Sequence, residues 1–263
     1  MGAGSPRGVG RVDRVLVIIP ALNEEATVAE VVASVSGHLD ADILVVDDGS
    51  RDLTAERAVA AGATVLRHPF NLGVGAALRT GFQYARDEGY PIAVQLDADG
   101  QHDPADAKRL VDLVADGTAD LVVGSRFETT IGKRGGIGKH GGDDDPSGPS
   151  GYEVGRVRRI GMKMLSRRVS RRLGTTIIDT TSGFRAFSRE ALVRFADSYP
   201  SAYLSDTVEA LLLAGDWGLT VVEVPVRMHA RMGGTASSGS LRSAFHLLRI
   251  NLVLSLHRVR RPL

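Results

Sequence analysis

The 263-residue chain contains no cysteine. That absence excludes disulfides, thiolate zinc sites and cysteine nucleophiles together. Aromatic residues are scarce, at 5% with a single tryptophan, which argues against a surface that binds nucleic acid by stacking bases. An excess of one charge sign is also missing. Lys and Arg number 32 against 31 Asp and Glu, for a formal net charge of +1, so the protein as a whole is not a polycation. Nor is there a long apolar run. The longest, "VLVIIPAL", has eight residues and includes Pro20, far short of the roughly 20 needed to cross a bilayer. The lead "MGAGSPRGVGRVDR" is polar with no apolar segment behind it, so no secretory signal is expected. The chain is expected to be soluble or to lie on a membrane without spanning it.

What is present suffices for a core. Hydrophobic residues make up 43% and charged residues 24%, the balance of a folded globular protein. From residue 14 to 125 strand and helix signals alternate. "RVLVIIPA", "DILVVDDGS", "ATVLRH", "IAVQLDAD" and "ADLVVGSR" read as strands. "NEEATVAEVVASVSGHL", with Asn23 as its N-cap, "RDLTAERAVAAG", "GVGAALRTGFQYARDEG" and "PADAKRLVDLVADG", opened by Pro104, read as helices. Strands that are apolar throughout point to a mostly parallel sheet covered on both faces, an open doubly wound α/β unit.

Residues 128–155 break the alternation with nine glycines and no apolar period. A stretch of that length is either a functional lid or a plain insertion. Residues 156–174, "RVRRIGMKMLSRRVSRRLG", hold eight Arg and Lys and no acid, with Ile160, Met164, Val169 and Leu173 near one helical stripe. Further on, "TTSGFRAFSREAL" reads as a loop, "SDTVEALLLAGDWG" as a helix and "LTVVEVPVRM" as a last strand. The tail, 236–263, reads as a second basic amphipathic helix, with Leu241, Phe245, Leu248, Leu252 and Leu256 on one side and Arg242, His246, Arg249 and His257 on another.

Ligands bind beyond the carboxyl ends of the strands in such a sheet. Four of those ends are chemically unusual: "PALNEE", "DDGS", "DADGQ" and "GSR". Carboxylates sharing a rim repel one another unless a cation neutralises them. Asp97, Asp99 and Gln101 offer only oxygens, the ligand set of Mg²⁺ or Mn²⁺ held with the phosphates of a substrate. "DADG" or "DDGS" alone is ordinary turn or cap chemistry; four such ends in one sheet are not. His102 reads as a solvated loop histidine. No strand–glycine-loop–helix phosphate motif and no G-x-S-x-G elbow is present.

The ordered set "IIPALNEE", "VVDDGS", "NLGVGAALRTGF", "LDADGQHDP", "VVGSRF", "TSGFRAF" and "VVEVPV" strongly resembles family 2 glycosyltransferases of GT-A (nucleotide-diphospho-sugar transferase) fold. The resemblance runs from about residue 14 to 235 and is closest to the branch of dolichyl- and polyprenyl-phosphate mannosyl- and glucosyltransferases. It implies a lead over 1–13, a catalytic domain over 14–235 and C-terminal amphipathic helices. By the same resemblance Pro20, Leu22 and Glu24 line a base pocket, and Asp48 and Asp47 hold base or ribose. Asp97, Asp99 and Gln101 match a D-x-D-x-Q pattern that bridges a metal to the donor diphosphate, with Asp99 counted as catalytic. Arg126 matches a basic residue near the sugar phosphate and acceptor, and Arg231 one that neutralises the diphosphate. Where the branch has a lysine at the end of that motif, this chain has Ser237. Arg126 and Arg185 either position an acceptor phosphate or pair with Asp179. Asp206 and Glu209, one turn apart, either form a solvated face or present a catalytic base at Asp206.

The expected activity is metal-dependent, inverting transfer of a hexose from a GDP- or UDP-sugar to a polyprenyl phosphate. The expected place is the cytoplasmic face of the cell membrane, where the two basic helices meet anionic lipid or are simply solvated. A membrane-embedded partner protein is expected to handle onward transfer, and no nucleic-acid partner is expected. The alternatives are a soluble phosphorylated or hydroxyl acceptor, or a non-catalytic nucleotide-sugar-binding partner of a membrane protein.

Overall fold

The computed structural model describes residues 14–127, 156–200 and 206–229, with residues 156–160 described by their backbone alone. The lead 1–13, the stretch 128–155, Arg231, Ser237 and the tail helix expected over 236–263 lie outside the described residues.

Seven strands form one sheet: β1 (Val15–Ala21), β2 (Asp42–Asp47), β3 (Thr64–Arg67), β4 (Ile92–Gln95), β5 (Leu121–Ser125), β6 (Arg185–Ser188) and β7 (Val221–Pro225). Their order is β3-β2-β1-β4-β6-β5-β7. β6 pairs antiparallel with both β4 and β5, and every other pair is parallel. The all-apolar strands do what their composition requires: Val15 to Ile19 are each at most 5% exposed, because both faces of the sheet are covered. On one face α1 (Val28–His38), α2 (Thr54–Ala60) and α4 (Ala107–Ala115) bury residues against Val17, Ile19, Val45 and Val94. On the other α3 (Val74–Asp87), α5 (Arg156–Leu173), α6 (Arg189–Ser198) and α7 (Asp206–Asp216) close over Leu16, Ile18, Leu44 and Val123. The second face is anchored by Phe82, whose ring lies 4.8 Å from that of Phe187 and 5.0 Å from that of Tyr199.

Three expectations are corrected. The first helix does not start at Asn23. Asn23 sits at φ 55, a left-handed conformation that asparagine tolerates but an N-cap does not adopt; its Oδ1 accepts Arg51 N at 2.9 Å instead, and α1 begins at Val28. In α5 the buried stripe is Leu165, Val169 and Leu173 at i, i+4 and i+8, with Leu165 and Val169 at 0%, whereas Met164 is 46% exposed. The segment read as a loop, "TTSGFRAFSREAL", carries β6 and the start of α6. A four-residue strand that opens on a buried arginine shows no period to read. Ser188 ends β6 and caps α6, its Oγ accepting Ala191 N at 3.3 Å.

Among the described residues no helix is long and apolar enough to cross a membrane.

Candidate active site

The parallel strands β1, β2, β4 and β5 end on one rim, and antiparallel β6 begins there. The four unusual strand ends therefore meet as expected, joined by residues 179–185. The β1 and β2 ends are stitched together: Ser50 Oγ accepts Asn23 N and Thr54 Oγ1 accepts Glu24 N, both at 2.8 Å. Pro20 is half-buried and Leu22 is 37% exposed; Glu24, half-buried, accepts from Thr27 Oγ1 at 3.0 Å.

The carboxylates at the end of β2 are held by donors of the protein itself. Asp47 is 0% exposed; its Oδ1 accepts Ser50 N at 2.9 Å and its Oδ2 lies 3.1 Å from Arg67 Nε. Asp48, 3% exposed, holds His68 Nδ1 at 2.8 Å, Leu72 N at 2.9 Å and Gly73 N at 2.7 Å. Both expected base- or ribose-holding carboxylates thus fix the turns around them in this structure. The turn between them and Phe70 needs Gly49, at φ 77, because a β-carbon there would lie 2.6 Å from the Phe70 carbonyl carbon. Asp99 is 7% exposed and its Oδ1 accepts Gln101 N at 3.0 Å.

Asp97 differs. Its side chain is 41% exposed. Gly183, in the strand-entry segment "SGFR", faces it so closely that a β-carbon would sit 2.8 Å from Asp97 Oδ2. His102 corrects the expectation of a solvated side chain: it is 5% exposed and its ring stacks on Phe184 at 5.0 Å. Its Nδ1 accepts Asp97 N at 3.3 Å, which leaves the proton on Nε2, 3.9 Å from Asp97 Oδ2. The same loop is bound to the chain after β7. His102 bridges Met228, Gln101 O accepts His229 N at 2.8 Å, and Arg227 pairs with Asp103 and Asp106 at 3.2 and 3.3 Å.

Arg126 extends from the end of β5 with its side chain 42% exposed. Asp179, 0% exposed, takes Arg126 Nε and Nη2 at 2.8 Å each and its backbone N at 3.2 Å. Burial alone would raise the Asp179 carboxyl, but the Arg126 guanidinium outweighs it and holds it below the usual carboxylate range. The hydrogen bond to Asp179 in turn raises Arg126.

Arg185 is held inside the protein. It is 0% exposed, with Nε donating to Ser182 O at 2.9 Å and Nη2 to Thr180 O at 3.4 Å. It supports the segment that presents Gly183, and burial depresses its pKa. Asp206, at the start of α7, is 5% exposed; burial pushes its carboxyl up, with partial relief from the Thr207 amide and the Arg185 charge. Glu209 is on the solvated face. Sequence reading gave no role to Gly183, His68, Thr181 or Glu223. The motifs "TSGFRAF" and "VVEVPV" contain three of them, but a missing side chain, a single threonine or a lone glutamate in a strand does not announce its contacts.

Among the described residues no three His, Asp or Glu side chains converge into a ready-made metal cage. A hard divalent ion does not require one, since one or two carboxylates and substrate phosphates complete its shell. An exposed Asp97, kept clear by the absent side chain of Gly183 and next to Asp99 in sequence order of two, fits that mode.

Comparison with known proteins identifies the family. The model of glycosyl transferase family 2 matches residues 16–195. Polyprenol monophosphomannose synthase of Mycolicibacterium smegmatis is 34% identical over 91% of this chain and 87% of its own. Undecaprenyl-phosphate mannosyltransferase of Micrococcus luteus is 30% identical over 87% and 89%. A crystal structure of glucosyl-3-phosphoglycerate synthase from Mycobacterium tuberculosis with Mn²⁺, UDP-glucose and phosphoglyceric acid superposes with a TM-score of 0.63 at 25% identity, over 95% of this chain and 85% of that one. The rim of carboxylates and arginine thus lies on a GT-A sheet, and the chain belongs to glycosyl transferase family 2 and is a glycosyltransferase.

Proposed function

We propose that the protein is a metal-dependent, inverting transferase that moves a hexose from a nucleoside-diphosphate sugar to a polyprenyl phosphate at the cytoplasmic face of the membrane. The observation that carries this reading is the pairing, on one rim, of an exposed carboxylate at Asp97 with an exposed, oriented guanidinium at Arg126. The names of the relatives at 34% and 30% identity favour the lipid acceptor.

Asp97 and Asp99, with Gln101, would hold Mg²⁺ or Mn²⁺, which supplies Lewis-acid stabilisation of the leaving diphosphate. Arg231 is assigned to the same diphosphate. Pro20, Leu22 and Glu24 border the space for the base. Arg126, fixed on its far side by Asp179, presents its remaining edge to an anionic substrate group. An acceptor phosphate oxygen attacks the anomeric carbon as the bond from that carbon to the diphosphate oxygen breaks, so the configuration inverts and the nucleoside diphosphate leaves. A phosphate monoester, with a second pKa of about 6, is already ionised at neutral pH and needs positioning rather than a base. Asp206 is required as a base only for a hydroxyl acceptor.

The exposed face of α5 supports attachment to anionic lipid. Lys163, Met164, Arg167 and Arg171 are all exposed there, opposite the buried Leu165 and Val169, and basic residues near such a surface contribute about 1 kcal/mol each. Transfer of the product onward belongs to a membrane-embedded partner in this reading. A second reading, a soluble phosphorylated acceptor, is favoured by the likeness to the phosphoglycerate-using synthase.

The test is turnover with a panel of GDP- and UDP-sugars and Mg²⁺ or Mn²⁺, with and without vesicles containing a polyprenyl phosphate, products being identified by mass spectrometry. A metal-dependent lipid-phosphate hexose is expected. Transfer to phosphoglycerate or another soluble acceptor, with none to lipid, selects the second reading.

A further inference from the structure

Glu223 lies in the middle of β7, 6% exposed. Its Oε1 accepts Asp179 N at 2.6 Å and its Oε2 accepts Ile178 N at 2.9 Å. Two consecutive amides are therefore gripped by one side chain immediately before the Asp179 carboxylate. That carboxylate in turn occupies Arg126 N, Nε and Nη2. Thr181 Oγ1 takes Nη2 as well, at 2.7 Å. Of the Arg126 donors, Nη1 has no hydrogen bond among the described residues, and it belongs to a side chain that remains 42% exposed.

The arrangement is costly unless it has a use. Glu223 and Asp179 are both buried carboxylates, and of the two Asp179 is the one bonded to the Arg126 guanidinium; a buried charge without its own counter-charge is destabilising. The chemistry also specifies the residue. Only an acceptor-only group with two oxygens can receive two adjacent amides; a glutamine would turn an NH₂ toward one of them.

We propose that Glu223 is a positioning residue for the transferase reaction: through the 178–179 backbone and Asp179 it sets the orientation of Arg126, and so the affinity of the rim for the anionic part of the substrate. The catalytic consequence rests on the transferase reading above; the structural linkage does not.

The test is a double-mutant cycle on the full chain, with thermal melts confirming the fold of each variant. E223Q is expected to lower kcat/KM about ten- to a hundredfold, the usual effect of removing a group that orients a site residue. R126Q is expected to lose at least as much, and E223Q/R126Q no more than R126Q alone, because Glu223 acts through Arg126. Losses that multiply would overturn the proposal, as would wild-type activity in E223Q. Should E223Q fail to fold, E223D, which keeps the charge and withdraws its reach, goes through the same cycle. A second readout is independent of turnover: exchange of the Arg126 Nε–H by NMR, expected to quicken about tenfold or more in E223Q or E223D as the bond to Asp179 loosens. If the wild-type protein turns over no nucleotide-sugar, the transferase reading fails while the exchange measurement still decides the linkage; unchanged exchange overturns it.

Discussion

Gly183 and Asp97 face each other across the rim: a β-carbon on Gly183 would stand 2.8 Å from Asp97 Oδ2 and 2.9 Å from Oδ1. Contacts that short require the carboxylate to move. Gly183→Ala is therefore expected to keep the fold, since a side-chain end yields easily, but to weaken apparent metal affinity and turnover about ten- to a hundredfold. A metal titration of activity in the variant checks this. Unchanged affinity would remove Asp97 from the ligand set.

Replacing the carboxylates directly has a larger expected effect. Asp97→Asn and Asp99→Asn should each lower turnover at least about a hundredfold, with thermal stability close to wild type for Asp97, whose side chain is 41% exposed. Partial recovery at high Mn²⁺ would mark a ligand whose loss weakens binding; no recovery for Asp99 would mark it as holding the turn through Gln101 N.

Asp206 makes the stability depend on pH. Burial raises its carboxyl above the ordinary Asp value, so the folded state binds the proton more tightly than the unfolded chain. Its favourable contribution is complete below the ordinary Asp pKa and is lost as pH rises through the raised folded value. Asp206→Asn keeps a neutral group throughout. The melting temperature of the variant should gain on wild type between acidic and neutral pH, by about 2–4 °C for each kcal/mol recovered. Parallel curves would show that Asp206 is not held neutral.

The exposed basic face of α5 gives a binding prediction. Replacing Lys163, Arg167 and Arg171 by Gln removes about 3 kcal/mol of attraction to an anionic surface, or about a hundredfold in partitioning at low salt. Flotation with phosphatidylglycerol vesicles measures it, with phosphatidylcholine vesicles as the neutral control. Equal binding of wild type and variant would reduce this face to ordinary solvated surface.

In the core, Phe82→Ala should cost about 3–5 kcal/mol, because its ring touches Phe187, Phe195 and Tyr199 at once. Urea denaturation reads the loss directly.

The residues differ in how openly they declare themselves in sequence. β1, β2, β4 and β5 are apolar on both faces and end in polar clusters, so composition alone locates both the sheet and the rim. Asp97, Arg126 and Asp206 could be named because their residue types suit the chemistry. β6 escaped because four residues opening on a buried Arg185 carry no period, and Arg185, which reads as either an acceptor-positioning or an ion-pairing cation, is fully buried against the Ser182 and Thr180 carbonyls. His102 escaped for a related reason: a histidine in a polar loop looks solvated until Phe184, 82 positions later, is found stacked on it. Glu223 and Gly183 act through contacts between segments far apart in the chain. A local pattern holds no trace of these.

The antiparallel course of β6 turns one stretch of chain into a closed excursion. The chain leaves the rim at Arg126 and returns to it at Asp179, and these two residues close the excursion with a bidentate bond. The excursion is not independent of the fold, because α5 within it buries Leu165 and Val169 in the core. One ion pair thus ties the end of β5 to the entry of β6, whose pairing with β4 and β5 follows directly.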